Sequence, residues 1–486
     1  MSREDVMQVP PPELNIDILT SASSFVKNRR MVEIMPDSQS NYGSLTSNYR
    51  ATFNIGATGN EFLDTMNSYF RCNLMVSSGV SAEKPVLDVG GINALIKSLT
   101  IQTKNGVRIE YIDNYNKLHA MLRCATMNED NVESVQSFEC GDSMADLPYV
   151  DNHKLLVDTS TNKFGITGLA DFKDFNVVEP ARSIFNGNAG GPTLARAFTF
   201  KLTSDFFSHL KYLPLPMLKS LQVIFEFERP GLGFYLVDSA GPGAQLTATM
   251  NYEISNFRYV ASYVEVNDEV LAQYESAYNS DSGLSLSYLT HRNFRYSLSG
   301  GGNFEVQFSA NSCRYLLIAI MPNESFSESG EFKGLPCQST FLKSALTSYR
   351  VQSGGKVFPA NAPIRTDTPY ASEAFTQLMI ALNQHQNKLC NTSIRVWEWR
   401  DDVAKTISRT NTASALTITD STKFIIGVDL TDVDTFSGLN TYGNNLLVDL
   451  QFDTVPAHNL ARNACVFVAV DSVLSLQKNL GVIVRN

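Results

Sequence analysis

Histidine is the side chain best suited to move protons or hold a metal near neutral pH, and this 486-residue chain carries six, at 119, 153, 209, 291, 385 and 458. None lies in an HxH, HExxH or GxSxG setting, so neither a zinc hydrolase nor a serine hydrolase can be assembled from sequence neighbours. His119, on a helical stretch, reads as a packed side chain. The seven cysteines, at 72, 124, 140, 313, 337, 390 and 465, include no CxxC pair and have no histidine at ligand spacing. They read as small apolar side chains in a reducing compartment, with a bridge between distant cysteines left open.

The carboxylates lead no further. Glu226 and Glu228 alternate along an apolar strand and are expected to face outward, as charges do on a strand with one buried face. Asp429, Asp432 and Asp434 lack the glycine and final glutamate of a calcium loop and read as an acidic turn. Gly300, Gly301 and Gly302 precede no helix and therefore form a turn instead of a phosphate cradle. The matches to the glycosylation pattern at Asn323 and Asn391 read as chance, since the acidic, proline-bearing start, Met1 to Ile18, is no secretory signal. No catalytic, cofactor-binding or metal-binding residue is expected, and no enzyme activity.

A net charge of −10 and a pI of about 5.2 would repel nucleic acid from the surface as a whole. Lys27, Arg29 and Arg30 form the best local candidate for a nucleic-acid contact, and a short basic patch of this kind reads as a solvated arm. Charged residues are only 18% of the chain against 10% aromatic, with 29 Phe, which is the balance of sheet proteins. The longest apolar run, Tyr315 to Met321, suits a buried strand and is far too short to cross a bilayer.

Those residues are positioned by strands. Tyr49, Ala51, Phe53 and Ile55 share one face of YRATFNI, with Arg50, Thr52 and Asn54 on the other. Phe70, Cys72, Leu74 and Val76 repeat the alternation, as do Leu221, Val223, Phe225 and Phe227. Between them SLTIQTKNGVRIEYI, from Ser98 to Ile112, places two runs around Asn105-Gly106, the pair favoured in a type I′ hairpin. A helix comes next, with Tyr115, Leu118 and Leu122 on one face.

The second half repeats this order. NFEVQFSA opens it at Asn303, and SALTSYRVQSGGKVF places a hairpin at Gly354-Gly355, its Leu346-Thr347 matching Leu99-Thr100. The next helix has Phe375, Leu378, Met379 and Leu382 on one face, Ser372 as N-cap and Glu373 in its first turn. Phe207-Ser-His-Leu210, expected as a helical turn, matches Phe436-Ser-Gly-Leu439. Shared order implies a tandem repeat: an extended arm over residues 1–45, a first unit over 46–260 and a second over 261–486. The junction lies near YEISNFRYVASYVEV, before an acidic helix from Asp268 to Tyr278. With about eight short strands per unit and no crossover helices, the fold class is all-β: two tandem eight-stranded jelly-roll sandwiches with short helices in loops. The connections 126–197 and 322–345 are expected on outer or inter-subunit surfaces.

With FLD at Phe62-Leu63-Asp64 and the element Leu213-Pro214-Leu215 before Leu221 to Glu228, the chain resembles the double jelly-roll major capsid proteins of double-stranded DNA viruses. Its modest length, without large tower insertions, looks closer to the polinton-like and nucleocytoplasmic types than to hexons. The resemblance implies a homotrimer whose six jelly rolls form a pseudo-hexagonal capsomer, with neighbouring capsomers, penton proteins and minor capsid (cement) proteins as partners. It implies an icosahedral virion shell assembled inside the host cell, no sequence-specific nucleic acid binding and no cofactor. It leaves open whether a membrane lies beneath. Two alternatives stand: a minor or vertex capsid protein, and a carbohydrate-binding or carbohydrate-active sandwich using Trp397 and Trp399 of RVWEWR.

Overall fold

The structure is a computed structural model that describes residues 26–38, 40–56, 59–78, 83–88, 90–127, 195–208, 211–238, 249–280, 283–299, 301–327, 337–359, 362–367, 371–384, 392–394, 399, 404–407, 416–432, 437–453, 461–478 and 481–485. Sixteen strands carry the architecture. The first unit holds β1 (Val26–Ile34), β2 (Arg50–Gly56), β3 (Glu61–Ser78), β4 (Ile96–Thr103), β5 (Arg108–Asp113), β6 (Arg196–Phe200), β7 (Ser220–Phe227) and β8 (Met250–Val266). The second holds β9 (Leu284–Ser297), β10 (Asn303–Val306), β11 (Cys313–Pro322), β12 (Leu346–Ser353), β13 (Lys356–Phe358), β14 (Ile425–Asp429), β15 (Leu446–Phe452) and β16 (Arg462–Gln477).

The first unit's two sheets run β1-β8-β3-β6 and β2-β7-β4-β5, and the second unit's run β9-β16-β11-β14 and β10-β15-β12-β13. Adding eight to every strand number of the first unit gives the second. Each unit is therefore a pair of antiparallel four-strand paths in jelly-roll order, and the chain is two jelly rolls in tandem.

Alternation places the cores where it predicts them: Ala51, Phe53 and Ile55 on β2, and Leu221, Val223 and Phe225 on β7, are fully buried, while Arg50 and Asn54 are exposed. Helices among the described residues pack on or between these sheets, including α1 (Tyr115–Thr126), α2 (Asp205–Ser208), α3 (Asp268–Asn279) and α4 (Ala371–Ala381). α1 and α4 each come after the central hairpin of their unit. Gly427 on β14 lies under α4, where a Cβ would come 2.6 Å from the Leu378 Cα, so only glycine lets helix and strand approach this closely.

The structure differs from the sequence reading at several points. Residues 26–34, read as part of an arm, form β1 and pair with β8 from Val26↔Val266 to Ile34↔Tyr259. VKNRRMVEI shows no apolar alternation because five successive residues of this outer strand are solvent-exposed. A unit boundary at 260/261 would cut β8, which continues to Val266. The first hairpin is not type I′: Gly106 has positive φ (83°) but Asn105 does not, and Gly106 N–H donates to Thr103 O at 2.9 Å. This is a three-residue loop with a bulge at glycine, and the ladder shifts register between Ile101 and Gln102. The two-residue turn with both φ positive occurs at Gly354-Gly355 (54° and 84°).

Strand pairing also sets the correspondence between hairpins. Leu99 faces Phe225 and Tyr349 faces Leu450, so Leu99-Thr100 corresponds to Tyr349-Arg350; the match with Leu346-Thr347 is coincidental. Ser372 lies inside α4, whose first residue is Ala371, and does not precede it as a cap. The Phe-Ser-x-Leu segments differ: Phe207-Ser208 ends α2, whereas Ser437–Gly438 is a short strand paired with Thr431–Asp432.

Candidate assembly surfaces and the seam between the units

The residue types able to do chemistry are used for packing wherever the structure describes them. His119 on α1 is buried, with Nδ1 2.5 Å from Thr203 Oγ1, and burial, helped by Arg123, lowers its pKa to about 3. His291 on β9 is buried with Nε2 2.8 Å from the Tyr315 hydroxyl, and burial lowers its pKa to about 4. Both rings stay neutral at physiological pH. The other four histidines, Cys140, Cys390, Asp434, Asn391 and Trp397 lie outside the described residues. Cys72, Cys124, Cys313, Cys337 and Cys465 are buried free thiols, and burial raises the Cys72, Cys313, Cys337 and Cys465 thiols well above their ordinary range. No group of three or more His, Cys, Asp or Glu among the described residues could hold a metal.

Glu226 and Glu228 do not share a face. Glu226 is exposed and accepts from Ser98 Oγ at 2.9 Å, but β7 ends at Phe227 and Glu228 turns inward, 3% exposed. There it accepts from Asn116 Nδ2 at 3.1 Å and from Arg229 N–H at 3.0 Å, tying α1 to the end of the strand. Asp429 accepts from Thr431 N–H at 2.9 Å, a local turn bond. Trp399 is 4% exposed; its Nε1 donates to Ala371 O at 3.1 Å, and its ring packs 5.0 Å from Phe375 and 4.5 Å from Phe424. It is a strut between α4 and the sheet, unsuited to stack on a sugar.

The three cations read as a solvated arm are each held by a carboxylate. Arg30 forms a two-pronged pair with Glu61 at 2.5 and 2.6 Å, Arg29 reaches Asp64 at 2.9 Å and Ser262 Oγ at 3.0 Å, and Lys27 reaches Asp268 at 2.7 Å. Ion pairs whose cation is open to solvent add little to stability. Their larger consequence is that β1 carries little free positive charge to offer a phosphate backbone.

A network of polar contacts crosses the seam between the units, which no sequence signal marked. Tyr288 on β9 donates to Ile109 O on β5 at 2.6 Å, with its ring 5.3 Å from Phe206 of α2. Leu289 N–H donates to the Asp205 carboxylate at 2.6 Å, and Asn114 Nδ2 donates to Asn293 Oδ1 at 2.9 Å. Farther along, Asp88 accepts from Gln338 N–H at 2.7 Å and from Ser339 Oγ at 2.5 Å, while Gln338 Nε2 donates to Leu232 O at 2.6 Å. Residues 337–344 of the 322–345 connection, expected on outer or inter-subunit surfaces, are instead buried within the chain, with Gln338 fully inaccessible where it meets the first unit. Buried polar groups satisfied across a junction fix its geometry, because parting the units would leave each one unpaired.

Glu110 is a buried carboxyl group in this seam. It is 1% exposed, accepts from Ser204 Oγ, and its Oε1 has no hydrogen-bond partner. Burial pushes its pKa up to about 8; the Ser204 hydrogen bond opposes this and the nearby Asp205 charge adds to it. The group is therefore mostly protonated at neutral pH, a neutral acid in the seam.

No family model matches the sequence, and no curated protein is similar to it. Among solved structures, a chain of the Sputnik virophage is similar over 95% of this chain and 89% of its own, at TM-score 0.56 and 12% identity. The Faustovirus major capsid protein is similar over 94% and 92%, at TM-score 0.53 and 9% identity. The mavirus major capsid protein is similar over 96% and 91%, at TM-score 0.51 and 12% identity. Both jelly rolls, in the same order and over nearly the whole of each chain, take part in these likenesses, so the chain has the double jelly-roll fold of viral major capsid proteins.

Proposed function

We propose that this chain is a major capsid protein. Three copies form a pseudo-hexagonal capsomer, and many capsomers tile the icosahedral shell of a double-stranded DNA virus. The observation that carries this reading is the doubled jelly roll itself, similar from end to end to shell proteins of several viruses although identity is only 9–12%. A fold by itself hosts many functions, so the site must agree. The reading is supported by the described histidines, cysteines and Trp399, which serve packing, and by the polar contacts that join the two units, an arrangement that suits a building block.

On this reading the chain has no catalytic, cofactor-binding or metal-binding residues. Its partners are further copies of itself, neighbouring capsomers, and penton and minor capsid proteins; it resides in the virion after assembly inside the host cell. The two units act as domains that divide after Val266. The purified protein is expected to be a trimer by light scattering and to give threefold averages of hexagonal outline by electron microscopy. Monomers at every concentration and assembly condition would overturn the reading. One or a few dozen copies per purified particle, in place of hundreds, would reassign the chain to a minor or vertex position.

A further inference from the structure

The two sheets of the second unit end in strands of unequal length. β9 ends one sheet and runs for 14 residues, whereas β10 ends the other and stops after 4, at Val306. The two ends meet through the ring pairs Tyr296–Phe304 and Phe294–Phe308, whose centroids lie 4.5 and 5.7 Å apart. Beyond Val306 the chain leaves the ladder, and a cleft of about 190 Å³ opens between the sheets, lined by Arg292, Phe294, Phe308, Ser309, Ala310 and Val470.

The lining is apolar except at one place. Val470 on β16 and Ala310 are buried and form the floor, the rings of Phe294 and Phe308 are half-buried, and Ser309 is exposed at the mouth. Arg292 is half-buried, and among the described residues its guanidinium has neither an ion pair nor a hydrogen bond. Its neighbours on comparable strands are treated otherwise. Lys27, Arg29 and Arg30 on β1, which holds the place of β9 in the first unit, are each held by a carboxylate, and Arg295 donates to Asn323 Oδ1 at 2.9 Å and lies over the Phe326 ring. A half-buried cation without a counter-charge is unfavourable, and an anion that completes it forms a strong charge-assisted pair.

The chemistry of that anion follows from the lining. A guanidinium presents two parallel N–H groups that match a planar carboxylate. The cleft has a single cation and no helix N-terminus, which favours a monoanion over a phosphate dianion. Its volume equals that of roughly six water molecules at about 30 Å³ each, room for one ring or a short aliphatic body and too little for a lipid chain.

We propose that this cleft binds a small organic monocarboxylate, its carboxylate paired with Arg292 and its apolar body laid against Phe294 and Phe308. The site is built by one chain and goes beyond the capsomer reading. It is a ligand site and not a catalytic one, since no nucleophile or general base lines it. Because the ligand touches β9 and β16 of one sheet and the segment after β10 at the end of the other, its occupancy stabilises the folded second unit.

The test is titration of the full-length protein with phenylacetate, followed by ligand-observed NMR and by the melting temperature. Phenylacetate is expected to bind one site with a Kd of about 1 mM and to raise Tm. Phenylacetamide, of the same shape without the charge, is expected to bind roughly tenfold more weakly, as is phenylacetate to the Arg292→Gln protein. Should Arg292→Gln fail to fold, the two ligands compared on the wild-type protein still decide. Equal binding of phenylacetate and phenylacetamide, wild-type affinity in Arg292→Gln, or no binding up to about 10 mM would overturn the site. Inorganic phosphate that displaces phenylacetate at equal concentration would overturn the assignment to a carboxylate.

Discussion

The two jelly rolls share one strand order and fill it differently. In the first, Phe257 lies within 6.2 Å, centroid to centroid, of Tyr42, Phe53, Phe70, Phe200, Phe225 and Phe227, so one ring stitches both sheets together. In the second, the corresponding sheets bury Leu316, Ile318, Val351, Val448, Val466 and Val468, and ring pairs such as Tyr296–Phe304 stand only half-buried. Topology is therefore specified by which positions are apolar and by the turns between them, not by which apolar side chain is used. The same latitude explains how identity with other double jelly rolls can fall to 9–12% while the fold persists.

The largest expected effect breaks this comparison at its aromatic end. Phe257→Ala should cost about 3–5 kcal/mol, against roughly 0.5–1.5 kcal/mol for Ile318→Val in the aliphatic core. Both tryptophans, 397 and 399, belong to the second half of the sequence, so their fluorescence reports on that unit while far-UV circular dichroism reports on both. Because the seam buries Tyr288, Gln338 and Ser339 between the units, the two signals should shift together in denaturant titration for Phe257→Ala. A fluorescence midpoint that stayed in place would mean the two cores unfold separately.

The second effect tests the seam that couples them. Glu110 has a folded pKa raised from 4.5 to about 8, so its contribution to stability is fully present below pH 4.5 and is lost as pH rises to about 8. After relaxation and water entry the loss should be roughly 2–4 kcal/mol. His119 and His291 act oppositely: their pKa values are lowered from 6.5 to about 3 and about 4, so stability is lost as pH falls below 6.5. The groups facing Glu110 are Ser204 and Asp205 from the first unit and Tyr288 and Thr290 from β9. Glu110→Gln should flatten the alkaline arm of a Tm-against-pH curve and leave the acid arm intact; an unchanged alkaline arm would show that the carboxyl does not carry it.

How much of this is legible in the sequence depends on the range of each interaction. Alternation exposes β2, β3 and β7, and hairpin glycines locate both central turns, because those signals lie within a few residues of one another. β1 escapes because an exposed outer strand has no apolar period to show. Glu228 is misplaced because the strand ends one residue before it. The seam is invisible: Asp88 meets Ser339 across 251 positions and Tyr288 meets Ile109 across 179, and single polar residues at such distances leave no local pattern. Trp399, offered by its sequence setting as a sugar platform, is instead a buried strut, and its sequence neighbours give no sign of the Phe375 and Phe424 rings that enclose it.

The smallest effects compare glycines that serve the two units for different reasons. Gly427→Ala, with no positive φ but a Cβ 2.6 Å from Leu378 Cα, is a purely steric substitution and should cost about 1–3 kcal/mol by pushing α4 off β14. β6, which holds the same place in the first unit, contains no glycine between Arg196 and Phe200, so this requirement is private to the second unit. Gly106 is the reverse case: a Cβ there would meet nothing within 4 Å, and φ is +83°. Gly106→Ala should therefore cost only the roughly 1–2 kcal/mol of placing an L-residue in the left-handed region, and Gly106→Asn less, since asparagine tolerates it. At Gly355, with φ +84° and equally open space, the same pair of substitutions should give the same two values. Equal penalties in two turns of different type would show that the backbone angle sets the cost; a larger one at either site would point to a contact made by the turn itself.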